Sequence, residues 1–439
     1  MQVALSLRAK GIRGLSARVG TIVSRFGATP TRMERCLDRY VDLTSEFSVR
    51  PSLPITACVL ARHALLIHRF SDRGVEFAIH GLVHNDHTTL GYDGQRTSIS
   101  RAAEIFEQAG IPCVGFRGPY LRYSAATDDA VRDLGLRYHS SQAVAFPALP
   151  PAVIQGLGGR AYQRALELYG AWDASEVAVR PRLRQGLVEI PVAIPDDEIM
   201  VDRLHLDGEA QAAVWTSMLE STYTRGDLFT VQLHPERIFD SGHALEAILR
   251  EAARRRPRIW TARMDEVATW WLERQSAILR VQQSREGCYE IQLEGSRRCT
   301  LLVRGLPEVV GAPWDDRTTV AQSPLFRVTC VVRPVVGLSA RSPRSAHEFL
   351  REEGFLTETS DDAVLYGAYI DVPESGFDEL RLLAEIERSQ GPLVRLWRWP
   401  AEARSAVAVT GDIDSITLQD FALRLWETRR SGTVVVRRS

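Results

Sequence analysis

Gly74-Val-Glu-Phe-Ala-Ile-His80-Gly-Leu-Val-His84 is the stretch on which the reading of this 439-residue chain turns. The apolar run before His80 reads as a buried strand that delivers the histidine to its carboxyl end. Open α/β sheets and barrels keep their chemistry at that end. Three residues separate His80 from His84. On a helical turn that spacing puts both imidazoles on one side, with Cβ atoms about 5–6 Å apart. Two histidines make half of a metal site, and the pattern asks for a carboxylate.

Around this stretch the chain is long enough for roughly two to three domains. Its 45% hydrophobic content is that of a globular protein with a real core. A formal net charge of −1 gives no global field toward nucleic acid, so no nucleic-acid partner is expected. Lys10 is the only lysine, and a GC-rich coding sequence explains the arginine bias better than phosphate binding does. The six cysteines (Cys36, Cys58, Cys113, Cys288, Cys299 and Cys330) form no CxxC pair and read as packing thiols. Residues 1–27 mix charge with apolar residues, which fits a surface helix better than a secretory signal. No run approaches the ~18 apolar residues of a membrane span. The expectation is a soluble, cytoplasmic protein; self-association is left open.

Between Pro54 and Ile238 short apolar runs alternate with amphipathic segments. Ile55–Leu60, Val75–Ile79, Pro112–Phe116, Leu187–Ile190 and Leu228–Leu233 read as strands. Ala64–Asp72, Ser98–Ala109, Ala125–Leu134 and His243–Arg254 read as helices, followed by a short strand Arg258–Trp260 and a helix Met264–Arg274. Such alternation implies a parallel sheet. Near Ser276 the pattern changes to successive strands with two later helices, Ser345–Glu353 and Glu379–Ser389, an α+β unit. After Pro400 a βα unit returns: strand Ser405–Thr410, then Gly411-Asp412-Ile413-Asp414, then a helix Thr417–Trp426. The partition is therefore 1–275, 276–400 and 401–439, the last piece completing the first.

Two imidazoles and one carboxylate form a ligand set that leaves positions open for water and substrate. His80 and His84 with one of Asp412 and Asp414 supply it. Zinc suits the set, and such a metal lowers the pKa of bound water to near 7. The remaining aspartate is placed for a general-base role. Gly115-Phe-Arg117-Gly118-Pro119-Tyr120 is a tight turn after a strand, able to present an amide N–H as an oxyanion donor. His234, in Leu233-His234-Pro235, ends another strand at the side of the sheet where it can protonate a leaving group. The competing readings are plain: core histidines, a helix cap at Asp412 and Asp414, and an ion-pair arginine. His87 reads as a partner of the site or a surface residue rather than a ligand. Trp270, Trp271, Trp397 and Trp399 could stack sugars but are more often core.

Taken together these residues resemble the NodB-homology polysaccharide deacetylases, carbohydrate esterase family 4, over about residues 40–270 and 400–430. The HxxxH motif matches His80 and His84. The RxPY motif matches Arg117, Pro119 and Tyr120, and Val231-Gln-Leu-His234 is similar to the LxxH-type motif. Thr410-Gly-Asp412-Ile-Asp414 looks like the aspartate motif in the spacing of the peptidoglycan deacetylase-like branch. The resemblance implies a (β/α)7 barrel and a divalent metal, zinc above all, on Asp414, His80 and His84. It implies Asp412 as base, His234 as acid, Arg117 orienting Asp412, and the Tyr120 backbone holding the oxyanion. Pro119, Asp196 and Asp197 are then assigned to the substrate groove, and the substrate is an N-acetylated sugar or glycoconjugate. One departure stands out: the family's aspartate motif precedes HxxxH, whereas here it comes last. A circular permutation accounts for it, since domain termini often lie close together. Two alternatives remain at this point: hydrolysis of another small amide or ester at the same site, or a non-catalytic carbohydrate-binding or scaffold protein.

Overall fold

The computed structural model describes residues 25–430. The expected surface helix over residues 1–27 lies outside them apart from its last three residues, as does the chain after Arg430. The strands of the first part are β1 Ser52–Ile55, β2 Glu76–Ile79, β3 Gly115–Phe116, β4 Tyr138–His139, β5 Ala143–Ala145, β6 Trp172–Asp173, β7 Arg182–Arg184, β8 Leu187–Glu189, β9 Val192–Ile194, β10 Leu228–Gln232 and β11 Ile259–Thr261. The strand Ser405–Thr410, near the other end of the chain, joins them. The main sheet runs β10, Ser405–Thr410, β1, β2, β3, β4, β8, β7, with β11 also paired to Ser405–Thr410. All its pairs are parallel except β7 with β8. This is a mixed α/β fold with a curled half-barrel sheet. Beyond β4 and β8 the chain bends into β5 and β9, which pair with each other. The curl brings β9 against β10.

Ser405–Thr410 lies in the middle of the curl because its six residues, Ser-Ala-Val-Ala-Val-Thr, are buried on both faces. A parallel strand covered on both sides reads as a nearly continuous apolar run. Its register is continuous against β10, from Leu228 opposite Ala406 to Gln232 opposite Thr410. On its other side it touches β1 at Ser52 opposite Thr410, extended by a bridge between Ile55 and Ile413. Gly411 follows where the chain passes closest to β10. A Cβ there would sit 1.8 Å from the Leu233 carbonyl oxygen, so only glycine fits.

The run Ile55–Leu60 was expected as one strand and is not. β1 ends at Ile55, and Ala57–Arg62 is a helix. A short apolar run does not distinguish strand from buried helix by its pattern. Here the neighbours decide: the N–H of Ala57 bonds the Gly81 carbonyl and that of Cys58 bonds the Leu82 carbonyl, which ends the ladder and starts the turn. The helix Thr31–Glu46 buries Met33, Cys36, Leu37, Tyr40, Val41 and Leu43 and packs against the helix Ile238–Arg254 and the turn Pro235–Arg237 before it. Tyr40 donates its hydroxyl to the Thr410 carbonyl at 3.1 Å, tying this helix to the returning strand. The helix Gly208–Arg225, which has no counterpart in the sequence reading, packs beside Ile238–Arg254. All six cysteines are free thiols. Among the described residues no helix is long and apolar enough to cross a membrane.

Residues 276–400 form small sheets with their own apolar clusters. Ile278–Arg285, Cys288–Glu294 and Leu325–Thr329 make one antiparallel sheet; Leu301–Arg304 and Leu393–Leu396 sit in a second. Arg333–Leu338 pairs in parallel with Thr357–Thr359 and Tyr366–Ile370, with helices Arg344–Glu352 and Glu379–Arg388 packed around Leu338, Phe349 and Ile386. The tryptophans considered as sugar platforms join this segment to the sheet instead. Trp270, Trp271, Trp397 and Trp399 are buried in one cluster, and Trp399 donates Nε1–H to the Gly226 carbonyl at 2.7 Å.

Buried charge also sits at the amino ends of the strands. Glu76 opens β2 and accepts from the Ser52 hydroxyl, from Tyr138 Oη at 2.6 Å and from the Asp265 N–H at 3.1 Å. Burial, and then the nearby Asp265 carboxylate, push its carboxyl from 4.5 up to about 7. The folded state therefore holds this proton more tightly than the unfolded chain. The resulting stabilisation is complete below pH ~4.5 and is lost as pH rises through ~7. Glu76→Gln is expected to flatten the urea midpoint between about pH 5 and pH 8 relative to the unmodified chain. An identical pH slope in the two proteins would contradict this account of Glu76.

Candidate metal centre and its flanking residues

His80 follows β2 directly, so the strand fixes its position. His84 does not arrive on a helical turn, as its spacing suggested. Residues 80–86 are an irregular bend that starts at Gly81, whose φ of +80° is costly for any residue with a Cβ. A Cβ there would also meet the Val83 carbonyl oxygen at 2.9 Å. The bend folds the imidazoles together with ring centroids 5.1 Å apart and nearly edge-on. Asp412 and Asp414 leave the end of Ser405–Thr410, two strands from β2 in the sheet. The two widely separated sequence signals thus meet at the carboxyl ends of the sheet.

His80 Nε2 and His84 Nε2 each lie 3.3 Å from Asp414 Oδ1. These three residues form a group able to hold a metal ion. Tetrahedral bonds of about 2.0–2.1 Å to zinc place neighbouring ligand atoms about 3.3 Å apart, so the separations suit the ion. Asp414 Oδ1 is buried and accepts no hydrogen bond from the protein, an orphan that a cation would satisfy. Burial alone would raise the Asp414 carboxyl, but Arg424, His84 and His80 outweigh it and hold the group well below the usual carboxylate range. His84 is kept neutral by burial and by the Arg424 charge. His80 Nδ1 faces the Arg117 carbonyl oxygen at 2.9 Å. A carbonyl only accepts, so Nδ1 carries a ring hydrogen and Nε2 is the nitrogen left facing Asp414 and the metal position. The donor set therefore fits a divalent metal of zinc's size.

Asp412 lies beside the triad, with Oδ2 3.7 Å from His80 Nε2. Arg117 Nη1 donates to its Oδ1 at 3.1 Å and Gln232 Nε2 to its Oδ2 at 3.2 Å. Arg117 is fully buried and is itself clamped by the Ser140 carbonyl, the Ser140 hydroxyl and the Thr410 hydroxyl. Its guanidinium thus holds the Asp412 carboxylate in one orientation. Pro119 is buried at the start of the following turn, and Tyr120 adopts φ +62° there. That left-handed conformation is uncommon for a residue with a Cβ and strained for a bulky one. The Tyr120 ring packs edge-on against His84, centroids 4.4 Å apart.

His234 follows β10, and its Nδ1 lies 2.8 Å from Asp197 Oδ1. Burial would lower its pKa, but the Asp197 carboxylate outweighs burial and holds the imidazole well above its ordinary value. Asp196 and Asp197 were assigned to a substrate groove, and the structure turns both inward. Asp197 is fully buried between His234 and Arg237, and Asp196 caps the Ile199 N–H at 2.9 Å. Burial and then the adjacent Asp197 and Glu198 push Asp196 up to about 7. A pair of adjacent acids after a strand looks the same in sequence whether it lines a groove or caps a turn. His87 is buried rather than on the surface, edge-on to Phe116, and burial lowers it to about 4.

Sequence reasoning missed Gln232 and Arg424. Gln232 was within reach, because it ends β10 two residues before His234 and is directed to the same side of the sheet in an extended chain. Arg424 is on the helix Leu418–Arg430, four residues after Asp420. It donates to Asp414 Oδ2 at 2.7 Å and lies 2.9 Å from His84 Nδ1. Nothing local marks it apart from the other arginines of that helix.

Residues 35–139 match the family model described as polysaccharide deacetylase. No curated protein matches the chain. Among solved structures, one from Mycobacterium smegmatis described as a polysaccharide deacetylase is 19% identical, with a TM-score of 0.44, covering 60% of this chain and 84% of that one. The Puue allantoinase structure is 16% identical, TM-score 0.41, covering 54% and 72%. A third, from Pseudomonas aeruginosa PAO1 and described as a polysaccharide deacetylase, is 18% identical, TM-score 0.41, with the same coverage. At these scores the structural likenesses carry no argument about activity.

Proposed function

We propose that this chain, whose residues 35–139 match the polysaccharide deacetylase family model, is a metal-dependent hydrolase releasing acetate from N-acetylated sugars. The observation that carries the reading is the convergence of His80, His84 and Asp414 on one point, with Asp412 held beside them. A divalent metal held by the triad supplies Lewis acidity, polarising a carbonyl and acidifying water. Asp412, fixed by Arg117 and Gln232, accepts the proton of the attacking water. The developing oxyanion of the acetyl carbonyl takes a hydrogen bond from the Tyr120 amide, the donor the family resemblance implies. His234, kept protonated by Asp197, gives its Nε2 proton to the departing nitrogen as the C–N bond breaks. The products are acetate and a free amino sugar.

In the same reading the late aspartate motif is the family's first strand carried to the end of the chain by permutation. The pairing of Ser405–Thr410 beside β1 supports it. Acetate release from chitin oligomers, set against a panel of non-sugar amides and esters, tests the substrate class. Release from the oligomers is expected. Release only from the non-sugar panel would overturn the sugar assignment. The Asp197 charge also makes a prediction. Asp197→Asn removes the carboxylate that raises His234, so the alkaline limb of the rate profile is expected to move to lower pH. An unmoved limb would show that His234 is not the acid.

A further inference from the structure

The helix Leu418–Arg430 carries Arg424 across the outer side of the triad. Its Nη1 donates to Asp414 Oδ2 at 2.7 Å, and its Nη2 lies 2.9 Å from His84 Nδ1 and 3.5 Å from His84 Nε2. A guanidinium has only donors. The ring nitrogen that meets Nη2 must therefore offer it a lone pair. The shorter contact makes Nδ1 that acceptor, and the one hydrogen of the neutral imidazole is then on Nε2. There it lies 3.3 Å from Asp414 Oδ1 without being hydrogen-bonded to it. A metal ligand needs the reverse arrangement, with the lone pair on Nε2. Were Nε2 itself the acceptor, its lone pair would be occupied directly. Both contacts lead to the same conclusion, that His84 is bound to an internal cation in a form that cannot ligate. His80 differs, because its Nδ1 hydrogen is fixed by the Arg117 carbonyl and its Nε2 is ready.

We propose that Arg424 is a built-in competitor of the divalent metal, holding His84 and Asp414 until the metal displaces it. The proposal rests on the metal site described above and adds its regulation. Arg424 can leave without undocking its helix. The helix is anchored elsewhere, through Asp420, which accepts from Arg62 Nε at 2.7 Å, contacts His63 Nε2 at 2.8 Å and caps Thr417. The Arg424 side chain is 17% exposed, so a path to solvent exists. When it leaves, the ring hydrogen passes from Nε2 to Nδ1 by exchange with water, one proton released and one taken up. The apparent metal affinity is then the intrinsic affinity scaled by the fraction of molecules with Arg424 displaced.

Equilibrium titration of the full chain with Zn²⁺ tests this, comparing the unmodified protein with Arg424→Gln and Arg424→Ala. Both variants are expected to bind at least about tenfold more tightly. Equal or weaker binding in both overturns the proposal. A second readout needs no variant: imidazole ¹⁵N spectra of the metal-free protein. They are expected to show His84 with its hydrogen on Nε2, switching to Nδ1 when Zn²⁺ is added. A His84 hydrogen already on Nδ1 without metal also overturns the proposal. Absent acetate release alongside tighter binding in the variants would count against the proposed reaction and leave the role of Arg424 standing.

Discussion

Asp412→Asn is expected to lower acetate release by about 10²–10⁴-fold, the usual contribution of a positioned general base, while the fold stays intact. The substitution keeps the shape of the side chain. The amide oxygen can still accept from Arg117 Nη1, as Oδ1 does now at 3.1 Å. The new NH₂ faces Gln232, whose own Oε1 has no partner in the structure. A flip of the Gln232 amide turns that oxygen toward the new donor and removes the conflict. What disappears is the basic oxygen 3.7 Å from His80 Nε2. Stability by urea denaturation should fall by roughly 1–3 kcal/mol, because the fully buried Arg117 guanidinium loses its carboxylate but keeps its Ser140 and Thr410 acceptors, and zinc uptake should persist because Asp414 is untouched. Acetate release within a few-fold of the unmodified protein would remove Asp412 from the mechanism.

Glu353→Gln is expected to produce the largest loss of stability, about 3–5 kcal/mol, as for other buried ion pairs broken on one side. Glu353 is fully buried just after the helix Arg344–Glu352. Its carboxylate meets Arg180 Nε, Arg395 Nη2 at 2.8 Å and Arg398 Nη2 at 2.6 Å. Arg180 comes from the segment before β7, so this one carboxylate pins residues 276–400 to the sheet. Burial alone would raise the Glu353 pKa, yet Arg398, Arg180 and Arg395 hold it far below the carboxylate range. The stabilisation is therefore present above the unfolded pKa of about 4.5 and is lost as pH falls below it. The glutamine leaves three arginines around a neutral, fully buried side chain. Urea unfolding at pH 7 measures the effect, and a loss below about 1 kcal/mol would contradict it.

The legible parts of the structure are those written as local pattern. Val75–Ile79 and Ser405–Thr410 are short, apolar and bounded by Gly74 and Gly411, and both are strands within a residue of their expected ends. His80, His84 and the pair Asp412 and Asp414 stood out because their residue types carry chemistry at strand ends; the resemblance chose Asp414, and the fold brings it to the two histidines. Other features were hidden because tertiary contacts decide them. The run Ile55–Leu60 splits at Thr56 because Gly81 and Leu82 capture the next amides. The HxxxH spacing suggested a helix, but Gly81 makes an irregular bend. Gly208–Arg225 buries Ala212, Val214, Trp215 and Met218 along with Gln211 and Thr222, so its apolar stripe is broken by polar residues. Asp196 and Asp197 carry no mark of the direction they face. Arg424 reaches the site only because its helix folds back over it, which no spacing in the sequence states.

Crystals of the full chain grown with Zn²⁺, measured at the zinc absorption edge, test the central claim most directly. The account predicts one anomalous peak within about 2.0–2.2 Å of His80 Nε2, His84 Nε2 and an Asp414 oxygen, with the Arg424 guanidinium moved off His84 Nδ1. A fully occupied zinc peak elsewhere, with none between these three side chains, would contradict it.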